Sequence, residues 1–506
     1  LGKCVDSKGV CNEALISTNP EFQSKIAKLF NERAEGKLES SEAWKNVPTL
    51  LIPKRPNAND VSEFRPIALI NIVFKLYMRC LLLLLQPYIQ MKGWIQFGAR
   101  TFHQASEIIH VIRTLVEKAI EWNLSLIIVS LDVKKAFDSL NLGAVTDLLL
   151  HQGVPDRLAY ALLQELFDDR TAHYLVFGSK TNAVDMKRGL RQGSPEASLI
   201  FSAIVNLVLT RLDERWKRQG FGICLGNFGG NSCAFDVWVA SLHGQLNFDP
   251  QKIHITCMAF VDDMYLFAKT TQQAQIMIND VIQELKTIGL QLQLDKLKWM
   301  STNSSENLLL NPELTVEGRA IGKVNSMVIL GSLIADDSKE DDTIEHRIEG
   351  AWKCFHKWSH VLTCHEASLE SRIQFWHKTV GASLLWGLET TRHTNKTMLR
   401  IRTTQRFMVR KMMHSKRLVN AESEYEPWLE WHKRTMKNAI AVVYKYEGCI
   451  INTLATKRHS WASHIARMGI FPKSQHLLKA VLFWRNLTWW KEQQLWNELG
   501  VDELRH

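Results

Sequence analysis

Ala259-Phe260-Val261-Asp262-Asp263-Met264-Tyr265-Leu266-Phe267 sets two adjacent carboxylates within an otherwise apolar stretch. The apolar residues on either side predict two half-strands that meet at the acidic pair. Carboxylates beside a hydrophobic core lose hydration and repel each other unless a cation or hydrogen-bond donors compensate. A divalent metal ion would supply that compensation, whereas the plainer alternative is an ordinary hairpin with acidic turn residues.

A third carboxylate follows another strongly apolar segment. Residues 124–131 are rich in leucine and β-branched residues, which is typical of a strand buried on both faces, and the run ends at Asp132. Asp132 is far from Asp262 in the sequence, so the two can meet only through the tertiary fold. If their strands are neighbours in one sheet, three carboxylates converge on a patch able to hold two hard cations. Two-metal phosphoryl transfer needs such an arrangement.

The composition indicates a folded, water-soluble chain with a basic surplus. Of 506 residues, 46% are hydrophobic and 23% charged, which argues against general disorder and against a membrane-embedded fold. The net charge of +10 favours a polyanionic partner, nucleic acid before a membrane. The nine cysteines are scattered without a zinc-ligand spacing, which predicts reduced thiols in an intracellular compartment. Because the chain starts at Leu1 without a signal peptide, we expect a fragment of a longer protein.

Strand and helix signals are mixed without the regular alternation of a doubly wound sheet. Amphipathic helices are predicted over 104–122 and 197–216, and the half-strands of 253–267 are followed by helical spacing over 274–288. After about residue 340 the strand signals stop. This pattern predicts an α+β fold whose last third is mostly helical.

Three motifs occur in an order that resembles motifs A, B and C of reverse transcriptases. They are the strand ending at Asp132 with Phe137 after it, the turn Gly189-Leu190-Arg191-Gln192-Gly193-Ser194-Pro195, and Phe260-Val261-Asp262-Asp263. The ordered set is far more specific than any one motif alone. The central part of the chain is therefore similar to a reverse transcriptase.

Flanking segments resemble the non-LTR retrotransposon, or long interspersed element, branch of that family. The upstream segments, which look like its finger motifs, are Leu51–Lys54 and Phe64–Leu69. The downstream segments, which resemble motif D, the motif E turn and parts beyond the polymerase core, are Gly289–Leu292 with Lys296, Leu330-Gly331, Leu384–Thr390 and His464–Met468. The resemblance covers the chain from about Trp44 to Met468.

The resemblance implies an α+β right-hand polymerase of fingers, palm and thumb with a mostly helical C-terminal extension. The expected divisions are a helical lead-in at 1–34, fingers and palm at 35–335, a thumb-like helical region at 336–395 and a basic helical extension at 396–506. It also implies RNA-directed DNA polymerase activity with Mg²⁺ as cofactor, as two ions, Mn²⁺ being the alternative. The expected partners are an RNA template, a DNA primer or target DNA, and deoxynucleoside triphosphates, with no membrane. An intracellular setting, the nucleus before the cytoplasm, follows from the resemblance alone.

The resemblance also assigns roles to single residues. Asp132, Asp262 and Asp263 would form the metal site, and Lys296 would protonate the leaving pyrophosphate. The candidates for binding the incoming nucleotide are Lys54, Arg65, Phe137 and Gln192.

Each nucleotide-binding role has a physical reason and a plainer alternative. Lys54 and Arg65 would meet the triphosphate, because fixed cations stabilise the charge that grows during transfer, but both could be solvated surface charges. Phe137 would exclude a 2′-hydroxyl from the sugar site, although a lone phenylalanine is more often core. Gln192 would donate from its amide beside the nucleotide, or belong to a plain glycine turn that opens a helix. The same surface alternative applies to Lys296.

The sequence departs from the family pattern in two places. Glu196-Ala197-Ser198 stands where members usually have Leu-Ser-Pro, which is expected to place a negative charge near the template-handling turn, and Gln293 stands where motif D usually has Asn. These departures leave open a non-catalytic nucleic-acid-binding remnant, and a group II intron maturase-like reverse transcriptase is the other alternative. Neither an upstream endonuclease domain nor a Cys-Cys-His-Cys knuckle is found in this sequence, so nicking would need further sequence.

Overall fold

A computed structural model of the chain describes residue 6 and residues 9–55, 57–91, 93–121, 125–176, 179–225, 253–302, 313–419, 424–446 and 448–467. Most of the glycine- and asparagine-rich loop predicted between 221 and 249 lies outside these residues, as do Met468 and the remainder of the predicted extension.

The helices of the described residues fall into two groups, one before and one after the last strand. The first group is α1 (Asn12–Ile16), α2 (Pro20–Ala34), α3 (Glu42–Lys45), α4 (Ile72–Leu85), α5 (Ala105–Glu121), α6 (Ala136–Ser139), α7 (Gly143–His151), α8 (Asp156–Phe167), α9 (Pro195–Arg218) and α10 (Thr271–Thr287). The second group is α11 (Glu340–Lys357), α12 (Ser359–Leu362), α13 (Leu369–Trp376), α14 (Ala382–Leu384), α15 (Asn395–Met412), α16 (Trp428–Tyr446) and α17 (Ile450–Arg467). Short 3₁₀ turns at Val61–Glu63, Leu294–Lys296 and Leu388–Thr390 and a π turn at His377–Gly381 complete the set.

The strands are interspersed irregularly among the first group of helices and end before the second group. They are β1 (Asn46–Pro53), β2 (Phe64–Ala68), β3 (Ile127–Leu131), β4 (Thr171–Val176), β5 (Ser179–Lys180), β6 (Val184–Asp185), β7 (Ile223–Leu225), β8 (Ile253–Ile255), β9 (Cys257–Phe260), β10 (Asp263–Ala268), β11 (Lys298–Ser301), β12 (Thr315–Val316), β13 (Arg319–Ala320), β14 (Gly322–Lys323), β15 (Ser326–Ile329) and β16 (Ser332–Ala335). The helices predicted over 104–122, 197–216 and 274–288 agree with α5, α9 and α10 to within a few residues, and the strands predicted over 124–131 and 253–267 agree with β3 and β8–β10. Other elements, such as α4, α8 and β4, were not predicted.

Capping side chains set the starts of several helices. The Asn19 side chain accepts a hydrogen bond from the Phe22 backbone N–H, and Pro20 occupies the first turn of α2. The Thr270 side chain accepts from the Gln273 backbone N–H at the start of α10. These side chains satisfy backbone donors that a helix leaves unpaired at its first turn.

A five-stranded sheet in the order β14-β11-β3-β10-β9 forms the palm. β3 pairs antiparallel with both β11 and β10 at the centre of this sheet. Along β3, Ile127, Val129 and Leu131 enter one hydrophobic core, whereas Ile128 enters the core on the opposite face. Because successive strand side chains point to opposite faces, burial on both sides requires the unbroken apolar run seen in the sequence.

Different helices cover the two faces of the palm sheet. Residues of α9 and α10 pack with one face, and residues of α5 pack with the other. Among the described residues, α9 alone is long and apolar enough to span a membrane, but 67% of its most apolar window is buried inside the protein. That burial is what a core helix of the palm requires.

The fingers carry a second sheet, in the order β2-β1-β4-β5 with β6 paired to β4. β1 and β2 form an antiparallel hairpin in which Ile52 pairs with Arg65. At its end, the Ala68 backbone N–H donates to the carbonyl of Gln192 at 2.8 Å. The fingers hairpin is thereby joined to the turn that precedes α9.

The helices after Ala335 build a third core of their own. Its buried residues run from Ile344 on α11 to Ala455 on α17 and include Trp376 of α13. This core continues across the division predicted between 395 and 396, so α15 packs with the helices that precede it as well as with those that follow. The domain boundaries themselves stay predictions.

Glu107 connects the last described helix to the palm. Its side chain is fully buried on α5 and lies 2.7 Å from Nδ1 of His103 and 3.0 Å from Nε2 of His464 on α17. Burial favours a raised pKa for Glu107, but the hydrogen bonds from the two histidines outweigh it and hold the pKa below its ordinary value. The ionised carboxylate therefore stabilises the folded chain.

We expect Glu107→Gln to lower the free energy of unfolding by about 1–3 kcal/mol, the usual worth of hydrogen bonds to a charged group. Since the folded pKa is depressed, the wild-type advantage is fully present above the ordinary carboxyl pKa of 4.5 and is lost as the pH falls through the folded pKa. Urea unfolding at about pH 7 and about pH 4 measures both effects. Glu214→Gln, at an exposed carboxylate of α9, serves as the control, and an equal loss in both variants would contradict the expectation.

Candidate active site

The acidic pair lies at the turn between β9 and β10. Asp263, the first residue of β10, pairs with Phe260, the last residue of β9. Between them, Val261 has a φ of 59°, a left-handed backbone that a β-branched residue rarely adopts. Such a conformation costs on the order of 1–3 kcal/mol, so contacts outside the turn must hold it.

The pairing of β3 with β10 brings the third carboxylate to this turn. Met264 pairs with Leu131 in the antiparallel register. In the same register, Asp132, one residue after Leu131, comes opposite Asp263, one residue before Met264. The structure thus brings together the three aspartates that the sequence predicts as a metal site.

The three carboxylates interact through their charges. Burial, together with the charges of Asp262 and Asp132, raises the pKa of Asp263 to about 6. Burial also raises the pKa of Asp262, and the charge of Asp132 adds to that rise. The positive charges of Lys296 and Arg65 oppose it. The cluster therefore holds negative charge that its described surroundings compensate only in part.

Lys296 is the cation in direct contact with the cluster. Its ammonium group forms an ion pair with the carboxylate of Asp132, although 66% of the Lys296 side chain is exposed. The segment before it is tied to the same strand, because the Gln293 backbone N–H donates to the carbonyl of Asp132 at 2.7 Å. That bond uses only the main chain, so the replacement of the usual Asn by Gln293 leaves it intact.

The oxygens of the three carboxylates are of the kind that binds a divalent cation. Within the residues that the structure describes, no three His, Cys, Asp or Glu side chains form a group that could hold a metal ion as they stand. Asp132 is paired with Lys296 instead. Three clustered carboxylates are the hard oxygen ligands that Mg²⁺ and Mn²⁺ prefer, and a cation would relieve the repulsion that raises the pKa of Asp263.

Lys54 and Arg65 lie on the β1–β2 hairpin, and both side chains are exposed. The Lys54 ammonium donates to the carbonyl of Ser62 at 2.8 Å. Burial raises the pKa of Asp138, and the charge of Lys54 is among the effects that oppose the rise. Arg65 acts in the same way on Asp262. The two cations of the fingers therefore face the side of the palm that holds the carboxylates.

Phe137 and Gln192 both lie next to Asp138, Phe137 in the sequence and Gln192 through hydrogen bonds. The centre of the Phe137 ring lies 4.9 Å from that of Phe201 on α9, so the ring packs against the core, although the residue is only half-buried. The Gln192 amide donates to both oxygens of Asp138, at 3.3 and 3.2 Å. Asp138 itself lies inside α6 and does not cap a helix.

Gly189 allows the turn before α9 to approach this segment. Its φ is 79°, and a Cβ added there would lie 2.6 Å from the carbonyl oxygens of Phe137 and Asp138. The neighbouring Leu190 backbone N–H donates to the Phe137 carbonyl at 2.7 Å. A residue other than glycine would push the two segments apart.

Glu196 lies beside the turn near which the sequence predicts its negative charge, but its side chain does not reach the protein surface. Its side chain is buried in the first turn of α9, only 3% exposed, and accepts a hydrogen bond from the Ser194 hydroxyl. Burial raises the pKa of Glu196, and the charges of Arg191 and Arg170 oppose that rise. The carboxyl thus faces two buried arginines inside the protein and not the surface of the turn.

Several basic side chains of α15 form contacts within the protein. Lys396 forms an ion pair with Asp341, and Arg400 forms one with Glu345. The Arg410 guanidinium lies 5.1 Å from the Trp431 ring centre. Part of the positive charge of this helix is therefore used in contacts within the protein.

Gln96 is a residue near the site that the sequence gives little reason to select. Its fully buried side chain forms hydrogen bonds with both main-chain polar groups of Val261. The one signal in the sequence is a single amide among apolar residues, in Trp94-Ile95-Gln96-Phe97. Such a pattern predicts a buried amide with a hydrogen-bond partner, but it does not identify the partner.

We expect Lys296→Met to tighten binding of divalent cations, because the ammonium competes for the Asp132 carboxylate. An exposed ion pair is worth about 0.2–1 kcal/mol, so the gain in affinity should be up to about fivefold. Titration of free Mn²⁺ by electron paramagnetic resonance measures it without any need for activity. Lys298→Met, at an exposed lysine two residues further on, is the matched control, and the expectation fails if both variants bind Mn²⁺ as the native chain does.

Comparison with protein families gives a match over the centre of the chain. The family described as reverse transcriptase (RNA-dependent DNA polymerase) matches residues 52–333, from the fingers hairpin to the β15–β16 hairpin.

The chain is also similar to curated Pol polyproteins of retrotransposable elements. A retrovirus-related Pol polyprotein from the type-1 retrotransposable element R2 of Popillia japonica is 22% identical over 384 residues, which cover 73% of this chain and 48% of that protein. The corresponding protein of Nasonia vitripennis is 25% identical over 247 residues, covering 48% of this chain and 21% of that protein. One from the type-2 element R2DM of Drosophila melanogaster is 24% identical over 250 residues. The chain spans about half the length of the first relative and about a fifth of the other two.

Among solved structures, apo telomerase from Candida tropicalis is 12% identical with a TM-score of 0.41, covering 92% of this chain and 73% of that one. A form truncated from its C-terminal domain is 13% identical with a TM-score of 0.37, covering 62% and 59%.

The family match extends over more than half of the chain and contains all three aspartates of the cluster. It agrees with the order of the motifs and with the palm and fingers described above. The chain therefore belongs to the reverse transcriptase (RNA-dependent DNA polymerase) family.

Proposed function

We propose that this chain is the RNA-directed DNA polymerase of a non-LTR retrotransposon, which adds deoxynucleotides to a primer 3′-hydroxyl on an RNA template. The observation that carries the proposal is the meeting of Asp132 with Asp263 across β3 and β10, beside Asp262 and facing the cations of the fingers hairpin. The R2 relatives support this function over that of a group II intron maturase-like enzyme, since they are named as Pol polyproteins of retrotransposable elements.

The proposed cofactor is Mg²⁺, as two ions, with Mn²⁺ as the alternative. The reverse transcriptase family generally uses divalent metals. Asp132, Asp262 and Asp263 would hold the ions through carboxylate oxygens. When bound, the ions activate the primer hydroxyl and neutralise charge on the transferred phosphoryl group and on pyrophosphate.

The cations of the chain would orient the triphosphate and assist the departure of pyrophosphate. Arg65 acts through its charge on Asp262 and Lys54 on Asp138. In the proposed reaction these fixed cations would meet the triphosphate and stabilise charge that develops during transfer. The primer 3′-oxygen bonds to the α-phosphorus, its proton passes to solvent, and the bond to pyrophosphate breaks. Lys296, which is paired with Asp132 and whose charge opposes the raised pKa of Asp262 and of Asp263, would give a proton to the departing pyrophosphate.

Phe137 would select the sugar, and nucleic acid would occupy the surface between fingers and palm. Phe137 is half-buried and lies next to the Gly189 turn. Its ring would leave no room for a 2′-hydroxyl on the sugar of the incoming nucleotide. The partners proposed are an RNA template, a DNA primer or nicked target DNA, and deoxynucleoside triphosphates. A chromosomal primer would require the nucleus as the setting.

We expect Asp262→Asn to abolish extension of a labelled DNA primer on an RNA template in the presence of Mg²⁺, because the amide removes a charge that the cofactor needs. Asp147→Asn, at an exposed aspartate of α7, should extend the primer as the native chain does. If the native chain binds the primer–template duplex but never extends it, the polymerase proposal fails, and this copy is a nucleic-acid binder only.

We expect Phe137→Val to raise the use of ribonucleotides relative to deoxynucleotides. Differences of one small group in a fitted pocket are worth about 1–3 kcal/mol, so the ratio of the two kcat/KM values should change by about 10- to 200-fold. The ratio is measured on a single preparation, so a loss of folded protein through the weakened packing on Phe201 cancels. An unchanged ratio would return Phe137 to a purely structural role.

A further inference from the structure

Gln96 lies alongside the strand that leads into the acidic turn. The Ala259 backbone N–H of β9 donates to the Ile95 carbonyl at 2.6 Å, and the Phe97 N–H donates to the Ala259 carbonyl at 2.9 Å. Gln96 forms a parallel bridge with Ala259 at this point. Its backbone is thus attached to β9, and its side chain, with no solvent exposure, points toward the end of that strand.

The Gln96 amide satisfies the whole main chain of Val261. Its carbonyl oxygen accepts from the Val261 N–H at 2.8 Å, and its nitrogen donates to the Val261 carbonyl at 3.1 Å. The same carbonyl oxygen also accepts from the Gly98 N–H at 2.8 Å. Val261 has the left-handed backbone described above, so one side chain holds the strained residue from both of its peptide groups.

We propose that Gln96 is a positioning residue for the catalytic carboxylates, acting through Val261; this inference rests on the proposed polymerase function. Asp262 follows Val261 directly, and Asp263 follows Asp262. Fixing both peptide planes of Val261 fixes the direction in which the Asp262 side chain leaves the turn. A misplacement of about 1 Å at a reacting centre can lower the rate about 100-fold, so the orientation of this turn controls turnover.

The space around the turn supports the same role. A Cβ added to Gly98 would lie 2.5 Å from the Val261 backbone nitrogen, so the segment after Gln96 packs directly on the turn. The segment that carries Gln96 is therefore in direct contact with the turn whose orientation its amide sets.

The chemistry of the position requires an amide. A glutamate would keep the acceptor but lose the donor to the Val261 carbonyl, and it would add a negative charge beside Asp262 and Asp263. A methionine of similar size would keep the packing and lose every hydrogen bond. An asparagine keeps the amide on a shorter side chain, so the same bonds cannot all be formed.

The test compares Gln96→Met and Gln96→Asn with Gln283→Met, a matched change at an exposed glutamine of α10. Loss of a supporting hydrogen bond behind a metal ligand usually costs about 10- to 100-fold in metal affinity or activity. We expect kcat for primer extension to fall by about that factor in both Gln96 variants, with KM for the deoxynucleotide changed less than about threefold. A merely structural role would reduce the amount of active enzyme but would not weaken Mn²⁺ binding per folded molecule.

Mn²⁺ affinity, measured by electron paramagnetic resonance on folded protein, separates this inference from the proposed function. Weaker Mn²⁺ binding in the Gln96 variants, with Gln283→Met at the native value, supports positioning even if the native chain does not extend a primer. Native Mn²⁺ affinity and native kcat in Gln96→Asn overturn the inference and leave the polymerase proposal untouched. If Gln96→Met does not fold, the Gln96→Asn result alone decides.

Discussion

The antiparallel pairing of β3 with β10 is the interaction on which the site depends. It places Asp132 opposite Asp263, although carboxylates repel each other and each loses hydration near the core. The pairing persists because both strands are buried on two faces, between α9 and α10 on one side and α5 on the other. Hydrophobic burial over the whole sheet thus offsets the unfavourable meeting of charges at the ends of these two strands.

Cations from separate elements converge on that unfavourable charge. Lys296 comes from the turn after α10 and Arg65 from the fingers hairpin, and both oppose the raised pKa of Asp262. The Gln293 main chain and the bond between Ala68 and Gln192 fix the two supporting segments to the palm. Because the Lys296 side chain is largely exposed, its ammonium can leave Asp132, and a metal cation can take its place at the carboxylate.

Departures from the family pattern have less effect in the fold than in the sequence. Glu196 is buried, and the charges of Arg191 and Arg170 act on its carboxyl inside the protein. At Gln293 the bond to Asp132 comes from the backbone. A local comparison of side chains cannot anticipate either outcome, because the direction of a side chain and the use of the main chain depend on neighbours that are distant in sequence.

The sequence by itself determined the α+β class and those strands and helices that have a clear apolar pattern, because such patterns are local properties. It also singled out the three aspartates and, through the order of its motifs, the reverse transcriptase family. The proposed nucleotide contacts stay predictions, because their roles depend on a bound substrate; they are those of Lys54, Arg65, Phe137 and Gln192. Only the tertiary structure decided that Asp132 is paired with Lys296 and that Gln96 holds Val261. Both are contacts between segments far apart in the chain, and a buried amide or an exposed lysine carries no local mark of the partner that packing brings to it.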